Sequence, residues 1–105
     1  MRNGSRPRTS HVGLGEVELS NSRTKVDLAT MINNAIRERR LSQLQAARLL
    51  QIPQPKVSAL ANYHLEGFSV QRLLTILNGL GRDVVIQVRQ KRSPELLGRT
   101  IVSAA

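Results

Sequence analysis

LSQLQAARLLQIPQPKVSALANY, residues 41–63, is the stretch that decides the fold, because it predicts two short helices joined by a tight turn. Ser42 is the expected N-cap of the first helix, since its hydroxyl can accept a hydrogen bond from a free backbone N–H of the first turn. Apolar residues then follow at helical spacing, at Leu44, Ala47 and Leu50. Pro53 ends that period, because proline has no N–H to contribute inside a helix.

The second helix of the stretch is predicted to bury one side and expose the other. Its apolar positions are Val57, Leu60 and Ala61, which leaves Gln54, Lys56 and Ser58 facing solvent. Two helices this short bury little surface alone, so they must pack across each other, and the polar first turn of the second then projects outward. On a very basic protein, a projecting helix of this kind has the geometry that enters a DNA major groove. The stretch therefore predicts a helix-turn-helix.

The composition favours a polyanionic partner. The 105 residues include 16 Lys and Arg against 7 Asp and Glu, a formal charge of +9, and arginine dominates the cations. Arginine suits bidentate contact with phosphate or guanine, so nucleic acid is the first expectation and an anionic membrane the second, with improved solubility as the plain alternative. Aromatic residues make up only 2%, so the core must be aliphatic.

The residue types exclude several classes of protein. Without cysteine there is no disulfide framework and no thiolate metal site. Paired carboxylates, a phosphate-binding glycine loop and a nucleophile–base set are all missing, and His11 and His64 are too few for a metal site. We therefore expect no enzyme, cofactor or metal.

No apolar run approaches the roughly 20 residues that span a bilayer, and the basic N-terminus lacks the apolar region of a secretion signal. A cytoplasmic, nucleoid-associated protein is expected.

Three regions are predicted along the chain. Residues 1–21 form a flexible basic arm, whose Arg2, Arg6 and Arg8 either enter a minor groove or only speed association. Residues 22–90 form the domain, and residues 91–105 a loosely ordered tail. In the domain, Ser22 or Thr24 caps a helix that ends near Arg40, with an apolar stripe at Leu28, Ala29, Ile32, Ala35 and Ile36. A last helix starts at Ser69 and stops at Gly79 and Gly81, with a stripe at Val70, Leu73, Leu74, Leu77 and Leu80.

Residues 83–89 predict a β-strand, because β-branched residues alternate there with others. A lone strand leaves its backbone groups unpaired, so it needs a second strand. The preferred supplier is the same segment of a second copy, paired antiparallel about a two-fold axis, with residues 12–19 or residues 100–103 as alternatives. The expected dimer contacts are Val84, Val85, Ile86, Gln87 and Val88. The predicted fold is thus mainly α, four helices with one C-terminal strand.

Residues 24–80 resemble the phage-repressor and Cro type of helix-turn-helix domain, also called the XRE type. The resemblance is carried by Leu41-Ser42-Gln43 opening the first short helix, Ala47 within it, and Gln54 opening the second. It implies that the small Ala47 lets the helices approach, and that Gln43 anchors to phosphate and supports Gln54, which reads a base. One departure is Gln51, where the family usually has glycine in a left-handed conformation, at a cost of about 1 kcal/mol.

The resemblance also implies the remaining DNA-binding residues. The rest of the groove face would be Pro55, Lys56, Ser58 and Ala59, with Lys56 contacting phosphate rather than a base. Asn62 closes the recognition helix and would contact phosphate, and Arg48 would contact the backbone unless it only faces solvent. Ser58 either hydrogen-bonds a phosphate or bonds back into its own helix. The alternative for Gln43 and Gln54 is that they are ordinary glutamines of a capping turn that bind no partner.

Residues 69–91, SVQRLLTILNGLGRDVVIQVRQK, are similar to the extension of HigA-type antitoxins, in which one strand replaces the last repressor helix. Members of that group bind their own operator and neutralise a ribonuclease toxin of the RelE or HigB class. The sequence therefore predicts a dimeric, autorepressing antitoxin of a type II toxin–antitoxin pair that binds a double-stranded DNA operator. The alternatives are a toxin-sequestering interaction module whose DNA binding is secondary, and a stand-alone phage-like repressor.

Overall fold

The computed structural model describes residues 6–91 and 97–104, with side chains described from residue 21 onward. Its helices are α1 (Arg6–Glu38), α2 (Gln43–Leu50), α3 (Gln54–Ala61) and α4 (Val70–Gly79). The second half of α1 packs against α4 and α3, and α2 packs across α3. The mainly helical, four-helix fold expected from the sequence is confirmed.

The first helix is longer than predicted. It begins at Arg6, so the expected start at Ser22 or Thr24 is wrong, and residues 6–21 of the predicted arm lie in this helix. Thr24 is buried, and its hydroxyl makes no hydrogen bond among the described residues, so it does not act as a cap. The helix instead starts beside Pro7, which the first turn tolerates because it has no use for that N–H. A role of the basic segment in DNA binding stays a prediction.

Ser42 is the N-cap of α2, as predicted. The backbone N–H of Gln45 donates to Ser42 Oγ at 3.1 Å, and the Ser42 N–H donates to Gln45 Oε1 at 2.8 Å. These reciprocal bonds form a capping box, which satisfies two N–H groups that a helix start otherwise leaves unpaired. The capping box therefore fixes the first turn of α2, and with it the direction in which the helix starts.

All four helices end in the same left-handed motif. The left-handed residues are Arg40, Gln51, Tyr63 and Gly81, with φ of 56°, 58°, 58° and 83°. In each case the next residue donates its N–H to the carbonyl five positions earlier, as from Ile52 to Ala47 at 3.1 Å. The left-handed conformation expected at Gln51 is confirmed. Three of the four positions hold a side chain where glycine would be unstrained.

The core is aliphatic, with two corrections to the predicted stripes. The predicted residues of α1 and α4 are buried or half-buried, and Ile76 joins them. In α2, however, Leu44 is 45% exposed, while Ala46 and Ala47 are buried. The short helix turns its alanines inward, where it packs against α3 and α4. In α3, Val57 and Leu60 are buried as predicted, but Ala61 is exposed.

The predicted strand is not formed among the described residues. Residues 82–91 have no regular structure, residues 12–19 lie in α1, and residues 100–103 are not a strand. A strand requires a hydrogen-bonded neighbour, and the described residues of the single chain supply none to this segment. Val84 packs against the core, whereas Val85, Ile86 and Val88 are 87%, 77% and 92% exposed. Within the described part of the chain, the backbone of this segment has no main-chain partner, and three large apolar side chains lie in solvent.

Candidate nucleic-acid interface

Two glutamines from different helices lie on the two sides of one shallow groove. Gln43 opens α2 and Gln54 opens α3, and with Pro55 and Ser58 they line this surface groove. Gln43, Gln54 and Pro55 are exposed, and Ser58 is half-buried. The structure therefore brings together four of the residues that the sequence analysis assigned to DNA binding, and it leaves them accessible.

The local sequence explains why the first turn of α3 projects. Pro53 is the N-cap residue and Pro55 is in the first turn, where a missing N–H costs nothing. No side chain caps α3, and neither α2 nor α3 has an acidic residue in its first turn. The partial positive charge of both helix N-termini is therefore not neutralised locally, which favours an anionic partner on this side of the protein.

Ser58 and Asn62 are linked one turn apart at the end of α3. The Asn62 side-chain amide donates to the Ser58 carbonyl oxygen at 2.9 Å and lies 3.5 Å from the Ser58 hydroxyl. The Ser58 hydroxyl makes no bond to its own helix backbone among the described contacts, so the back-bonding alternative has no support. Asn62 is exposed and fixes the end of the helix, while Ser58 keeps its hydroxyl proton available at the groove.

Lys56 points away from the groove. Its ammonium lies 3.4 Å from the Gly67 carbonyl oxygen and 4.9 Å from the centre of the Phe68 ring. A cation over an aromatic face is attracted by the ring, so Lys56 stabilises the loop between α3 and α4. Two further predicted residues also lie outside the groove: Ala59 is half-buried against the core, and Arg48 is exposed at the end of α2. Their contacts with DNA stay predictions.

A second groove, which the sequence analysis missed, lies between α1 and the end of α3. Its lining residues are Asn33, Ile36, Arg37, Leu41, Ala61 and Tyr63. The Asn33 amide donates to the Leu60 carbonyl oxygen at 3.0 Å, and the Tyr63 hydroxyl lies 3.0 Å from the Thr30 hydroxyl. These bonds tie the end of α3 to α1. The contacting residues are about thirty positions apart in the chain, so no local sequence pattern predicts these contacts.

The environment of Tyr63 lowers the pKa of its phenol below the usual 10.0. The main cause is the hydrogen bond with Thr30, followed by that with Asn33, and the positive charge of Arg37 acts in the same direction. Burial opposes these effects by disfavouring the phenolate. Arg37 is therefore close enough to this groove to influence a group inside it.

Neither a cluster of metal ligands nor a membrane-spanning helix occurs among the described residues. Within residues 6–91 and 97–104, no three His, Cys, Asp or Glu side chains cluster so as to hold a metal ion. No helix in the same part of the chain is long and apolar enough to cross a membrane.

Comparison with known proteins agrees with this geometry. A family model described as "Helix-turn-helix domain" matches residues 12–89. A solved structure whose description names the XRE family of transcriptional regulators is 50% identical in sequence and superposes with a TM-score of 0.80. The match covers 84% of this chain and 99% of that one. No curated protein matches.

Proposed function

Because this chain belongs to the XRE family of helix-turn-helix regulators, we propose that it is a dimeric repressor that reads a DNA operator with α3. The observation that carries the proposal is the exposed groove shared by Gln43 and Gln54. A glutamine side chain can donate to and accept from the major-groove edge of adenine at once. The resemblance to repressors assigns that contact to Gln54, with Gln43 bound to phosphate and supporting it.

The charge of the chain supports a DNA partner independently of the groove. A formal charge of +9 gives binding a large component from counterion release, which weakens steeply as salt rises. That component does not depend on sequence, so specificity must come from the side chains that reach the bases. Gln54, Pro55 and Ser58 are the described residues best placed for it, because they share the groove and the exposed side of α3.

Binding to the DNA upstream of the protein's own gene tests the proposal. The wild-type chain should prefer this DNA to a scrambled fragment in fluorescence anisotropy titrations. Gln54→Ala should weaken binding to the upstream DNA and reduce this preference by about tenfold, since one good base contact contributes on the order of 1–3 kcal/mol. Gln71→Ala, an exposed glutamine on α4, is the matched control and should keep the preference. Equal losses on both DNAs for Gln54→Ala would contradict the assignment of Gln54.

The dimer rests on the C-terminal segment of residues 83–89. Its backbone makes no hydrogen bond to other main chain among the described residues, and Val85, Ile86 and Val88 are exposed. Antiparallel pairing with the same segment of a second copy would satisfy the backbone and cover these side chains. A two-fold dimer also suits an operator with two half-sites about 34–36 Å apart. Val84 and Gln87 belong to the same proposed interface.

A proline substitution tests the pairing. Ile86→Pro removes one ladder N–H and should convert the dimer to a monomer in sedimentation equilibrium. Ile86→Thr keeps the β-branched shape and the N–H, so it serves as the control and should remain dimeric. A wild-type chain that sediments as a monomer at concentrations where it binds DNA would contradict the dimer without affecting the role of Gln54.

The finer proposal is that the regulator is an autorepressing antitoxin. It is supported by the similarity of residues 69–91 to the HigA-type extension and by the exposed apolar residues there, which offer a protein partner a surface. The partner would be a RelE- or HigB-like ribonuclease. Co-expression with the product of the adjacent gene should yield a complex and relieve its toxicity. Autorepression without any such complex would leave a stand-alone repressor.

A further inference from the structure

Arg37 is a cation that lies outside the helix-turn-helix pair formed by α2 and α3. It lies on α1, and its guanidinium Nη1 donates to the Asn34 side chain at 2.8 Å. Among the described residues it forms no ion pair, whereas Arg82 pairs with Glu38. A guanidinium has five N–H donors in a planar arrangement, so Arg37 keeps several for another acceptor.

The position of Arg37 places it on the same side of α3 as the two glutamines. The groove that it lines includes Ala61 and Leu41, while the first groove includes Ser58 and Gln43. Residues three apart on a helix are surface neighbours, so Ser58 and Ala61 join the two grooves along α3. From Gln54 to Ala61 the helix rises by about 10 Å, which corresponds to about three phosphates along one DNA strand.

We propose that Arg37 binds a backbone phosphate of the operator beyond the segment that α3 reads. The inference rests on the proposed function, which it deepens by adding an α1 residue to the DNA interface. Arginine can grip a phosphate with two parallel N–H bonds, and the groove is lined by no acidic residue that would repel the anion. The contact would hold the C-terminal half of α3 against DNA while Gln54 acts at its other end.

Tyr63 has a different task in this groove. The Thr30 hydroxyl also donates to the Val26 carbonyl oxygen of its own helix at 2.9 Å. The Tyr63 and Thr30 hydroxyls lie 3.0 Å apart, so the Tyr63 hydroxyl is already engaged in a contact within the protein. Tyr63 and Asn33 form the wall of the groove by tying α3 to α1, and Arg37 supplies the charge.

The test is the salt dependence of binding to the upstream DNA, measured by anisotropy with the full chain. Arg37→Gln should reduce the slope of log K against log salt by about 0.9, the amount expected for one lost phosphate contact. The cognate-to-scrambled preference should stay unchanged, since phosphate contacts carry no sequence information. Arg23→Gln is the control, because it makes the same charge change on the same helix at an arginine 3.9 Å from Asp27.

The outcomes separate this inference from the proposed function. A slope that changes equally for Arg37→Gln and Arg23→Gln would overturn the Arg37 contact while leaving operator binding intact. A wild-type chain without preference for the upstream DNA would defeat the proposed function itself, and the Arg37 contact with it. Arg37→Lys adds a second arm: restored slope with reduced affinity would support a phosphate contact made best by a forked guanidinium. Circular dichroism confirms that each variant is folded.

Discussion

The hydroxyls of Tyr63 and Thr30 lie 3.0 Å apart and join the end of α3 to α1. The backbone of Tyr63 takes the left-handed conformation that ends α3. Its side chain holds that helix end against α1. Together with the bond from Asn33 to the Leu60 carbonyl oxygen, this contact fixes where α3 stands on the domain. Under the proposed function, the angle at which α3 would meet DNA therefore depends on α1 as well as on α2.

Titration of Tyr63 tests this connection directly. Tyr63 is the only tyrosine and tryptophan is absent, so the ultraviolet absorbance of the phenolate reports on this residue alone. Its pKa should lie below 10.0, because the bonds with Thr30 and Asn33 and the charge of Arg37 favour the phenolate. A folded pKa below the unfolded value means that the phenol adds stability as pH rises through the window up to 10.0. That addition is lost as pH falls through the lowered pKa.

Thr30→Val is the matched variant, since it removes the hydroxyl and keeps the shape. The Tyr63 pKa should rise toward the usual value in this variant. A wild-type pKa at or above 10.0, with the chain folded, would show that the phenol lacks these contacts in solution.

Replacing Gln51 by glycine should increase the stability of the domain. It ends α2 with φ of 58°, a conformation in which a side chain costs about 1 kcal/mol relative to glycine. Gln51→Gly is therefore expected to raise the free energy of unfolding by up to about 1 kcal/mol in urea denaturation. The reverse change tests the same physics: Gly81→Ala, at φ of 83°, should lower it by about 1 kcal/mol. Gly98→Ala is the control, since a Cβ there meets nothing within 4 Å.

Ser42 should be the most sensitive surface serine of the domain. Ser42→Ala removes one half of the capping box and should lower the free energy of unfolding by about 1 kcal/mol. Ser42→Asp can accept the same bond and should restore most of the loss. Because the cap sets the start of α2, which carries Gln43, the alanine variant should also weaken DNA binding. Unchanged stability of Ser42→Ala would mean that the capping box contributes nothing in solution.

Lys56 should matter for the loop between α3 and α4. Lys56→Met keeps an apolar stem but removes the ammonium from the Phe68 ring and the Gly67 carbonyl oxygen. A loss of about 0.5 kcal/mol in unfolding free energy is expected for an exposed cation over an aromatic ring. Lys25→Met on α1 serves as the control for charge removal. If Lys56 also contacts phosphate, its loss should weaken cognate and scrambled DNA alike, in contrast to Gln54→Ala.

What the sequence determined by itself is local. Ser42 with Gln45, Pro53 with Pro55, and the left-handed Gln51 act within a few positions of the chain, so the two short helices and the turn between them could be predicted. The buried stripes of α1 and α4 followed from helical period for the same reason. The groove shared by Gln43 and Gln54 was predictable in its residues, because each of them opens a helix of a recognisable pair.

Tertiary structure decided the remaining features, because these features depend on contacts between residues that are distant in the sequence. That Ala46 rather than Leu44 faces the core depends on how α2 packs against its neighbouring helices. The links from Tyr63 and Asn33 to other helices, and the placement of Lys56 over Phe68, join residues that only packing brings together. Residues 83–89 show the limit of local pattern most clearly, since β-branched alternation favours a strand but pairing must come from outside the segment. Among residues 6–91 and 97–104 of the single chain no such pairing is present, and the segment has no regular structure.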